Sequence, residues 1–187
     1  MSRAIPAVIL GASGYVGGEL LRLVAVHPDF ELRAAVSDSA AGQPIGALFG
    51  HLAAALPDHE FVAHADWLGL IEPGSELALF SAAPHGASAA MLANALAACA
   101  QKSVDVHVVD ASADFRFAEQ AAWESIYGTT HGAPGLLGKF TCALPEHADE
   151  IDTPHVGHPG CFATASTLAT VPLIASGLTG PEVFIAG

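Results

Sequence analysis

The sequence predicts an α/β fold in which an open sheet of parallel strands is doubly wound, with helices on both faces. Short apolar runs alternate along the chain with segments whose apolar residues recur at helical spacing. Strands separated by helices pair in parallel, because each crossover returns the chain to the same end of the sheet. The 187 residues are 52% hydrophobic, which is enough for one good core and part of a second.

The first elements are a strand, a turn and a helix. AIPAVIL (4–10) is a continuous apolar run typical of a buried strand, and YVGGELLRLVAVH (15–27) has its apolar residues at helical spacing. ELRAAV (31–36) predicts the second strand. Residues 37–57 are rich in Gly, Ala, Ser and Pro, which predicts a loop with at most a short helical turn.

The middle of the chain continues this alternation. DWLGLI (66–71) predicts a weak helix and ELALFSA (76–82) a third buried strand, which an alanine-rich helix follows near 86–101. VHVVDAS (106–112) predicts a further strand. The polar, aromatic-containing stretch EQAAWESIYG (119–128) is assigned neither helix nor strand.

The last third contains shorter elements. FTCAL (140–144) predicts a short strand, PEH (145–147) a turn, and PHVG (154–157) a strand that leads directly to Cys161. VFIAG (183–187) has the composition of the start of another strand, and a chain seldom stops with such an edge unpaired. We therefore expect the sequence to be part of a longer protein.

The charge balance argues against one class of partner. With 19 acidic and six basic residues, the formal charge of −13 has the wrong sign for a surface that binds nucleic acid. An anionic ligand would be held mainly by backbone amides and helix ends. No apolar stretch is long enough to cross a membrane, and signal-peptide features are absent, so we expect no membrane partner and a cytoplasmic location.

A glycine-rich turn, G-A-S-G-Y-V-G from Gly11 to Gly17, joins the first predicted strand to the first predicted helix. This is the context of a dinucleotide-binding turn, where glycines let the backbone approach a pyrophosphate that helix N–H groups bind. It predicts a Rossmann-like domain. The spacing is GxxGxxG rather than GxGxxG, so a tight turn without a ligand stays open as an alternative.

The end of the second predicted strand bears on cofactor choice. VSDSAAGQ places Ser37, Asp38 and Ser39 there. An acid at this position commonly accepts hydrogen bonds from a ribose 2′-OH and would repel a 2′-phosphate. A solvated loop aspartate is the alternative.

Cys161 follows Pro159 and Gly160 and precedes a segment with helical apolar spacing. A cysteine at a helix N-terminus is stabilised as a thiolate by the helix dipole and free amides. A thiolate beside a dinucleotide suggests acyl chemistry, and N–H groups of the same turn could form an oxyanion hole.

Two other roles for Cys161 stay open. His155, His158 and Cys161 form an H-x2-H-x2-C array, but structural zinc needs four ligands, so we expect no metal. An inert buried cysteine is the second alternative. Cys99 and Cys142 are predicted to be core residues, and three cysteines in all argue against a disulfide framework.

Five segments in order resemble the N-acetyl-gamma-glutamyl-phosphate reductases of arginine biosynthesis, which are similar in mechanism to aspartate-semialdehyde dehydrogenase. The segments are GASGYVGGELLRLVAVHPDFEL (11–32), AAPHGAS (82–88), VVDASADFRF (108–117), ALPEH (143–147) and HPGCFATA (158–165).

The resemblance implies roles for the matching positions. Cys161 would be the nucleophile, Pro84 and His85 would lie near the nicotinamide, and Asp114 would lie near the junction of two domains. The substrate-binding residues would be Ser112, Arg116 and His158. The cofactor-binding residues would be Gly11, Ser13, Gly14, Tyr15, Val16, Gly17, Ser37 and Asp38.

The resemblance further implies a dinucleotide-binding domain over residues 1–152 and, over 153–187, the start of an α+β catalytic and dimerisation domain. The remainder, with the general base, would lie in a missing segment. The implied reaction is NADPH-dependent reduction of an acyl phosphate, with NAD as the alternative cofactor and a homo-oligomer as the complete protein. A homologous aminoadipyl or aspartyl phosphate, or a non-catalytic dinucleotide-binding domain, is the alternative function.

Three departures from the family pattern affect these expectations. His158 stands where the family commonly has asparagine, and Phe162-Ala163 where it has tyrosine-proline. Ser37-Asp38 replaces a Ser-Arg pair whose arginine suits NADP. The expected class of reaction survives these changes, whereas the cofactor preference is weakened.

Overall fold

A parallel sheet forms the centre of the molecule. The computed structural model describes residues 4–148 and 151–186. The strands within these ranges are β1 (Ile5–Leu10), β2 (Phe30–Val36), β3 (Phe61–Val62), β4 (Glu76–Ser81), β5 (Asp105–Asp110), β6 (Phe140–Cys142) and β7 (His155–Gly157). They form one sheet in the order β3-β2-β1-β4-β5-β7-β6, and every pair is parallel.

Helices connect the strands and cover the sheet. The α-helices of the described ranges are α1 (Tyr15–Val24), α2 (Ile45–Leu48), α3 (Ser88–Gln101), α4 (Gln120–Tyr127) and α5 (Cys161–Ala175). Short 3-10 turns occupy Asp38–Ala40, Gly50–Leu52, Trp67–Leu70, Pro134–Lys139 and Pro145–His147. None of the helices described is long and apolar enough to cross a membrane.

The core has two layers because successive residues of β1 point to opposite faces of the sheet. Val8 and Leu10 belong to the cluster that includes Leu92 of α3. Ala7 and Ile9 belong to the cluster that includes Leu21 of α1. The prediction of a doubly wound parallel α/β sheet is therefore confirmed.

The strand order sets the position of the site. β2 lies on one side of β1 and β4 on the other. The chain adds β2 and β3 on one side of β1 and then returns to add the later strands on the other side, so the switch point lies between β1 and β4. In open α/β sheets, ligands bind at the carboxyl ends of the strands beside such a switch point. The glycine turn follows β1 directly and therefore lies at this place.

One prediction for a single element is wrong, and two elements were not predicted. The loop predicted for 37–57 contains only short helical turns, of which α2 is the longest, as expected. EQAAWESIYG, which was assigned neither helix nor strand, forms α4, whose buried Trp123 donates its indole N–H to Ala113 O at 3.0 Å. β3 was not expected because it is only two residues long. Residues 183–186 form no strand, since they pair with neither β3 nor β6 at the sheet edges; Gly187 lies outside the described residues.

The domain division after residue 152 stays a prediction. β7 lies beyond that position and yet pairs with both β5 and β6. The sheet therefore continues past residue 152, and α5 leaves it at Cys161.

Candidate active site

The glycine turn is shaped by direct backbone contact. Gly11 has φ +72°, and a Cβ there would lie 2.7 Å from the carbonyl oxygen of Ala82, after β4. A Cβ on Gly17 would overlap the carbonyl oxygen of Gly11 and lie 2.6 Å from Cα of Ala12. Both positions exclude any side chain, because the start of α1 packs on the turn and the turn packs on β4.

The N-terminus of α1 opens at this turn. The first helical bond runs from Gly18 N–H to Gly14 O at 2.8 Å, so the N–H groups of the preceding residues have no helical acceptor. Tyr15 is 88% exposed and Val16 is also exposed. The backbone N–H groups of these two residues therefore have no helical acceptor and are available to an anion.

A cavity of about 370 Å³ lies in front of the turn. Six of the predicted cofactor residues line it: Gly11, Ser13, Gly14, Ser37, Asp38 and Pro84. The other lining residues are Val36, Ser39, His64, Ala82 and Met91. The three serine hydroxyls form a chain, with 2.7 Å between Ser13 Oγ and Ser37 Oγ and 3.2 Å between Ser37 Oγ and Ser39 Oγ.

Asp38 lies at the rim of this cavity and is exposed. Its Oδ1 accepts the backbone N–H of His64 at 2.7 Å, which ties the loop after β3 to the end of β2. Sequence reasoning missed His64 because it missed β3. The signal was the apolar pair Phe61-Val62, followed by a polar residue at the carboxyl end of a parallel strand.

The Pro84-His85-Gly86 turn is clamped to the loop after β5. Asp114 is buried, and its two carboxylate oxygens accept the N–H of Gly86 at 2.7 Å and that of Ala89 at 2.9 Å. His85 Nδ1 accepts the N–H of Ala113 at 2.9 Å. Asp114 thus caps the start of α3 from another loop and fixes the turn beside the cavity.

Asp110, at the end of β5, is a buried carboxylate that the sequence analysis did not select. It accepts the hydroxyl of Ser88 at 2.7 Å and that of Ser112 at 2.5 Å. Burial raises the pKa of Asp110, and these hydrogen bonds act in the opposite direction. The Ser112 hydroxyl also accepts the N–H of Asp114 at 3.0 Å. Both of these hydrogen bonds of the Ser112 hydroxyl are made to other residues of the protein.

Cys161 is the first residue of α5 and is exposed. The preceding Gly160 has φ +104°, and a Cβ there would lie 2.8 Å from an Nη atom of Arg116. Arg116 Nε donates to the carbonyl of His158 at 3.2 Å. The structure therefore brings together three residues predicted from sequence, and it places a guanidinium against the turn that carries the thiol.

The remaining cysteines and histidines differ from expectation in part. Cys99 is buried as predicted, whereas Cys142, at the end of edge strand β6, is exposed, so its placement in the core is wrong. His155 is buried, and its Nδ1 accepts Val108 N–H at 3.3 Å, while the ring of His158 bonds the start of α5. Within residues 4–148 and 151–186, no cluster of three or more His, Cys, Asp or Glu could hold a metal ion.

A second cavity, of about 440 Å³, lies between α5 and the segment that follows β6. Cys142, His147, Pro159, Ala163 and Thr167 are among its lining residues. None of the predicted site residues lines it. We therefore place the candidate site at the switch point and the start of α5, and not in this cavity.

The fold and the glycine turn define a dinucleotide-binding α/β domain. A family model described as "Semialdehyde dehydrogenase, NAD binding domain" matches residues 6–152. The chain belongs to this family.

Individual relatives confirm the resemblance described above. N-acetyl-gamma-glutamyl-phosphate reductase of Acidothermus cellulolyticus is 44% identical over 93% of this chain and 47% of its own length. The reductase of the same name from Streptomyces coelicolor is 39% identical over 97% of the chain and 49% of its own length. A protein of Aeropyrum pernix, named as a LysW-L-2-aminoadipate/LysW-L-glutamate phosphate reductase, is 37% identical over 99% of this chain and 50% of its own length. The chain thus spans about half the length of these relatives.

Proposed function

We propose that this protein takes part in the NADPH-dependent reduction of N-acetyl-gamma-glutamyl phosphate to N-acetylglutamate semialdehyde, through a thioester on Cys161. One observation carries the proposal: Cys161 begins a helix on the side of the sheet formed by the carboxyl ends of the strands, where the glycine turn also lies. Because β1 and β7 are parallel in one sheet, their carboxyl ends face the same crevice. The names of the relatives support the choice of substrate.

The residues present fit a dinucleotide. Gly11 and Gly17 let the turn and the start of α1 pack directly on neighbouring backbone, and the first N–H groups of α1 supply a positive helix end. Bound NADPH would supply the hydride. The turn that Asp114 clamps would fix one wall of the site, so that the cofactor meets a pre-organised surface.

The preference for NADPH rests on the resemblance and on local hydrogen-bond donors. The hydroxyls of Ser13, Ser37 and Ser39 can donate to a 2′-phosphate at the end of β2. The carboxylate of Asp38 opposes this preference by charge, although one of its oxygens is already held by His64 N–H. NADH is therefore the competing cofactor, and Asp38 is the residue that decides between them.

The chemistry on the protein side begins at the thiolate. Cys161 Sγ attacks the acyl carbon, the carbon–oxygen bond to phosphate breaks, and phosphate leaves with the electron pair to give a thioester. N–H groups of the first turn of α5 can bind the developing oxyanion, since the first helical bond is from Thr164 N–H to Gly160 O. Hydride addition then gives a thiohemiacetal on Cys161, which collapses to the aldehyde and the thiolate.

Acylation tests this proposal without requiring turnover. The protein is mixed with N-acetyl-gamma-glutamyl phosphate, the reaction is quenched in acid, and the mass of the intact protein is measured by mass spectrometry. We expect one added acyl group in the wild type and in Cys142→Ser, and none in Cys161→Ser. An acyl group that persists in Cys161→Ser, or no acylation of the wild type, would refute the nucleophile assignment.

A related substrate is the second candidate. The relative named for LysW-linked aminoadipate and glutamate phosphates matches 99% of the chain at 37% identity. An aminoadipyl phosphate differs from the first candidate in chain length and amino-group modification, while the acylation chemistry is the same. Initial acylation rates with N-acetylglutamyl, aminoadipyl and aspartyl phosphates, at equal concentration, separate these substrates.

We propose in addition that the protein acts in the cytoplasm as a homo-oligomer and binds no nucleic acid. The formal charge of −13 supports the last point, and exposed apolar side chains on α5 support an association surface. Light scattering over a concentration series tests the oligomeric state. A mass that stays at one chain across the series would contradict the homo-oligomer.

A further inference from the structure

His158 makes hydrogen bonds to several parts of the site. Its N–H donates to the carbonyl of Asp110, at the end of β5, at 2.8 Å, and its carbonyl accepts Arg116 Nε at 3.2 Å. The ring Nδ1 accepts Gly160 N–H at 3.1 Å, and the ring Nε2 lies 3.2 Å from Thr164 Oγ1. One residue therefore links the sheet, the guanidinium and the first turn of α5.

These contacts select one tautomer of the ring. A backbone N–H can only donate, so Nδ1 of His158 must carry a free lone pair toward Gly160. The neutral ring then has its proton on Nε2, from which it donates to Thr164 Oγ1. Burial and, to a smaller extent, the charge of Arg116 lower the pKa of His158, which favours this neutral form.

The two ring contacts bracket the proposed nucleophile. Gly160 immediately precedes Cys161, and Thr164 lies about one turn of α5 after it. No side chain of α5 is buried, so packing does little to fix the direction in which this helix begins. The ring of His158 therefore holds the backbone on both sides of the thiol.

We propose that His158 is a positioning residue, whose neutral imidazole aims the first N–H groups of α5 at the sulfur of Cys161. The proposal deepens the proposed function and rests on Cys161 being the nucleophile. Loss of the ring contacts would let the first turn fray, which withdraws the dipole and amides that stabilise the thiolate. His158 itself need not touch the substrate in this role.

Protonation of the ring would break the arrangement. A proton on Nδ1 would set two N–H groups against each other and add a positive charge beside Arg116, which extends from the loop after β5. Four other titratable groups belong to the surrounding elements: Asp110 of β5, Tyr127 of α4, whose hydroxyl lies 3.4 Å from Arg116 Nη1, Cys142 of β6, which pairs with Gly157, and Cys161 itself.

The test measures thiol reactivity in place of turnover. Iodoacetamide modification of Cys161 is followed by peptide mass spectrometry, with Cys142 as the internal reference because it is also exposed. At pH 7.5, we expect His158→Leu to slow modification of Cys161 by about threefold to tenfold relative to Cys142, the range for one or two net hydrogen bonds. A rate equal to that of the wild type would overturn the proposal.

Two further variants keep the test informative. His158→Asn should slow the reaction by about twofold to threefold, because an asparagine oxygen can accept the N–H two residues later in the chain while the contact with Thr164 is lost. Thr164→Val removes only the Nε2 partner and should slow the reaction by about twofold to threefold. It replaces His158→Leu if circular dichroism shows that the leucine variant does not fold, and a wild-type rate in Thr164→Val would then overturn the proposal.

The pH profile separates positioning from a general loss of structure. The ratio of the wild-type rate to the His158→Asn rate cancels the pH dependence of the thiol and of other groups common to both proteins. We expect a constant ratio above about pH 7 and a fall below about pH 6.5, where His158 begins to take up its proton. A ratio that is constant down to pH 5 would contradict the proposal, whereas failure of acylation with these kinetics intact would affect only the proposed function.

Discussion

Helices α1 and α5 both begin beyond the carboxyl ends of the strands but are held in different ways. α1 buries Gly17, Gly18, Leu21 and Val24 against the sheet and the glycine turn. None of the 15 residues of α5 is buried, and Phe162 is 71% exposed. The glycine turn is therefore positioned by packing, and the candidate nucleophile by a few polar contacts.

Sequence accounts for this difference. α1 has one apolar stripe, and its outward face carries Glu19 and Arg22, which form an ion pair at 2.9 Å. α5 contains no charged residue and is apolar on most of its circumference. A helix of that kind normally lies in an interior, whereas no residue of α5 is buried here.

The largest effect is expected at the glycine turn. Gly17→Ala places a Cβ against the backbone of Gly11 and Ala12, and backbone cannot move aside as a side chain can. We expect a loss of at least about 4 kcal/mol in the free energy of unfolding by urea denaturation. Gly69→Ala, where a Cβ meets nothing within 4 Å, is the control and should stay near the wild type. Equal stability of both variants would mean that packing does not fix the glycine turn.

The second effect compares matched leucines on the two helices. Leu21 of α1 is fully buried, so Leu21→Ala should cost about 3 kcal/mol of unfolding free energy. Leu168 of α5 is exposed, and Leu168→Ala should cost about 1 kcal/mol or less. Urea denaturation of both variants checks the difference. Similar losses would show that α5 is packed in solution, for example against a second copy of the chain.

A third effect tests whether the hydrogen bonds of Asp114 also position the turn beside the proposed cofactor site. Asp114→Asn replaces one acceptor of the clamp with a donor, which then faces Gly86 N–H or Ala89 N–H. We expect a loss of about 2 kcal/mol in stability and weaker NADPH binding by calorimetry. Asp105→Asn, on an exposed carboxylate of β5, is the control. Unchanged NADPH affinity in Asp114→Asn would separate the clamp from the cofactor site.

The smallest effect concerns cofactor choice. Asp38→Asn removes a charge at the cavity rim, which should raise NADPH affinity relative to NADH by about fivefold, or about 1 kcal/mol in a solvated site. Asp58→Asn, on an exposed residue outside the cavity lining, should leave the ratio unchanged. Both dissociation constants are measured at one salt concentration. An unchanged ratio in Asp38→Asn would show that the carboxylate faces away from the ribose.

The sequence by itself determined the parallel fold, the glycine turn and the place of Cys161 at a helix start. These features depend on local patterns: apolar runs, helical spacing, and glycine where a side chain has no room. The 2.7 Å contact between Ser13 and Ser37 depends instead on β1 and β2 being neighbours in the sheet, and no strand order was predicted from sequence.

Only the tertiary structure decided which polar groups meet. Asp110 and Asp114 lie in one short stretch, yet the first bonds Ser88 and the second bonds Gly86 and Ala89, all from a distant part of the chain. The exposure of Cys142 likewise depends on β6 being an edge strand, which composition does not reveal. The order of the strands in the sheet decides which loops meet. The identity of a polar residue therefore does not indicate which distant residue it will bond.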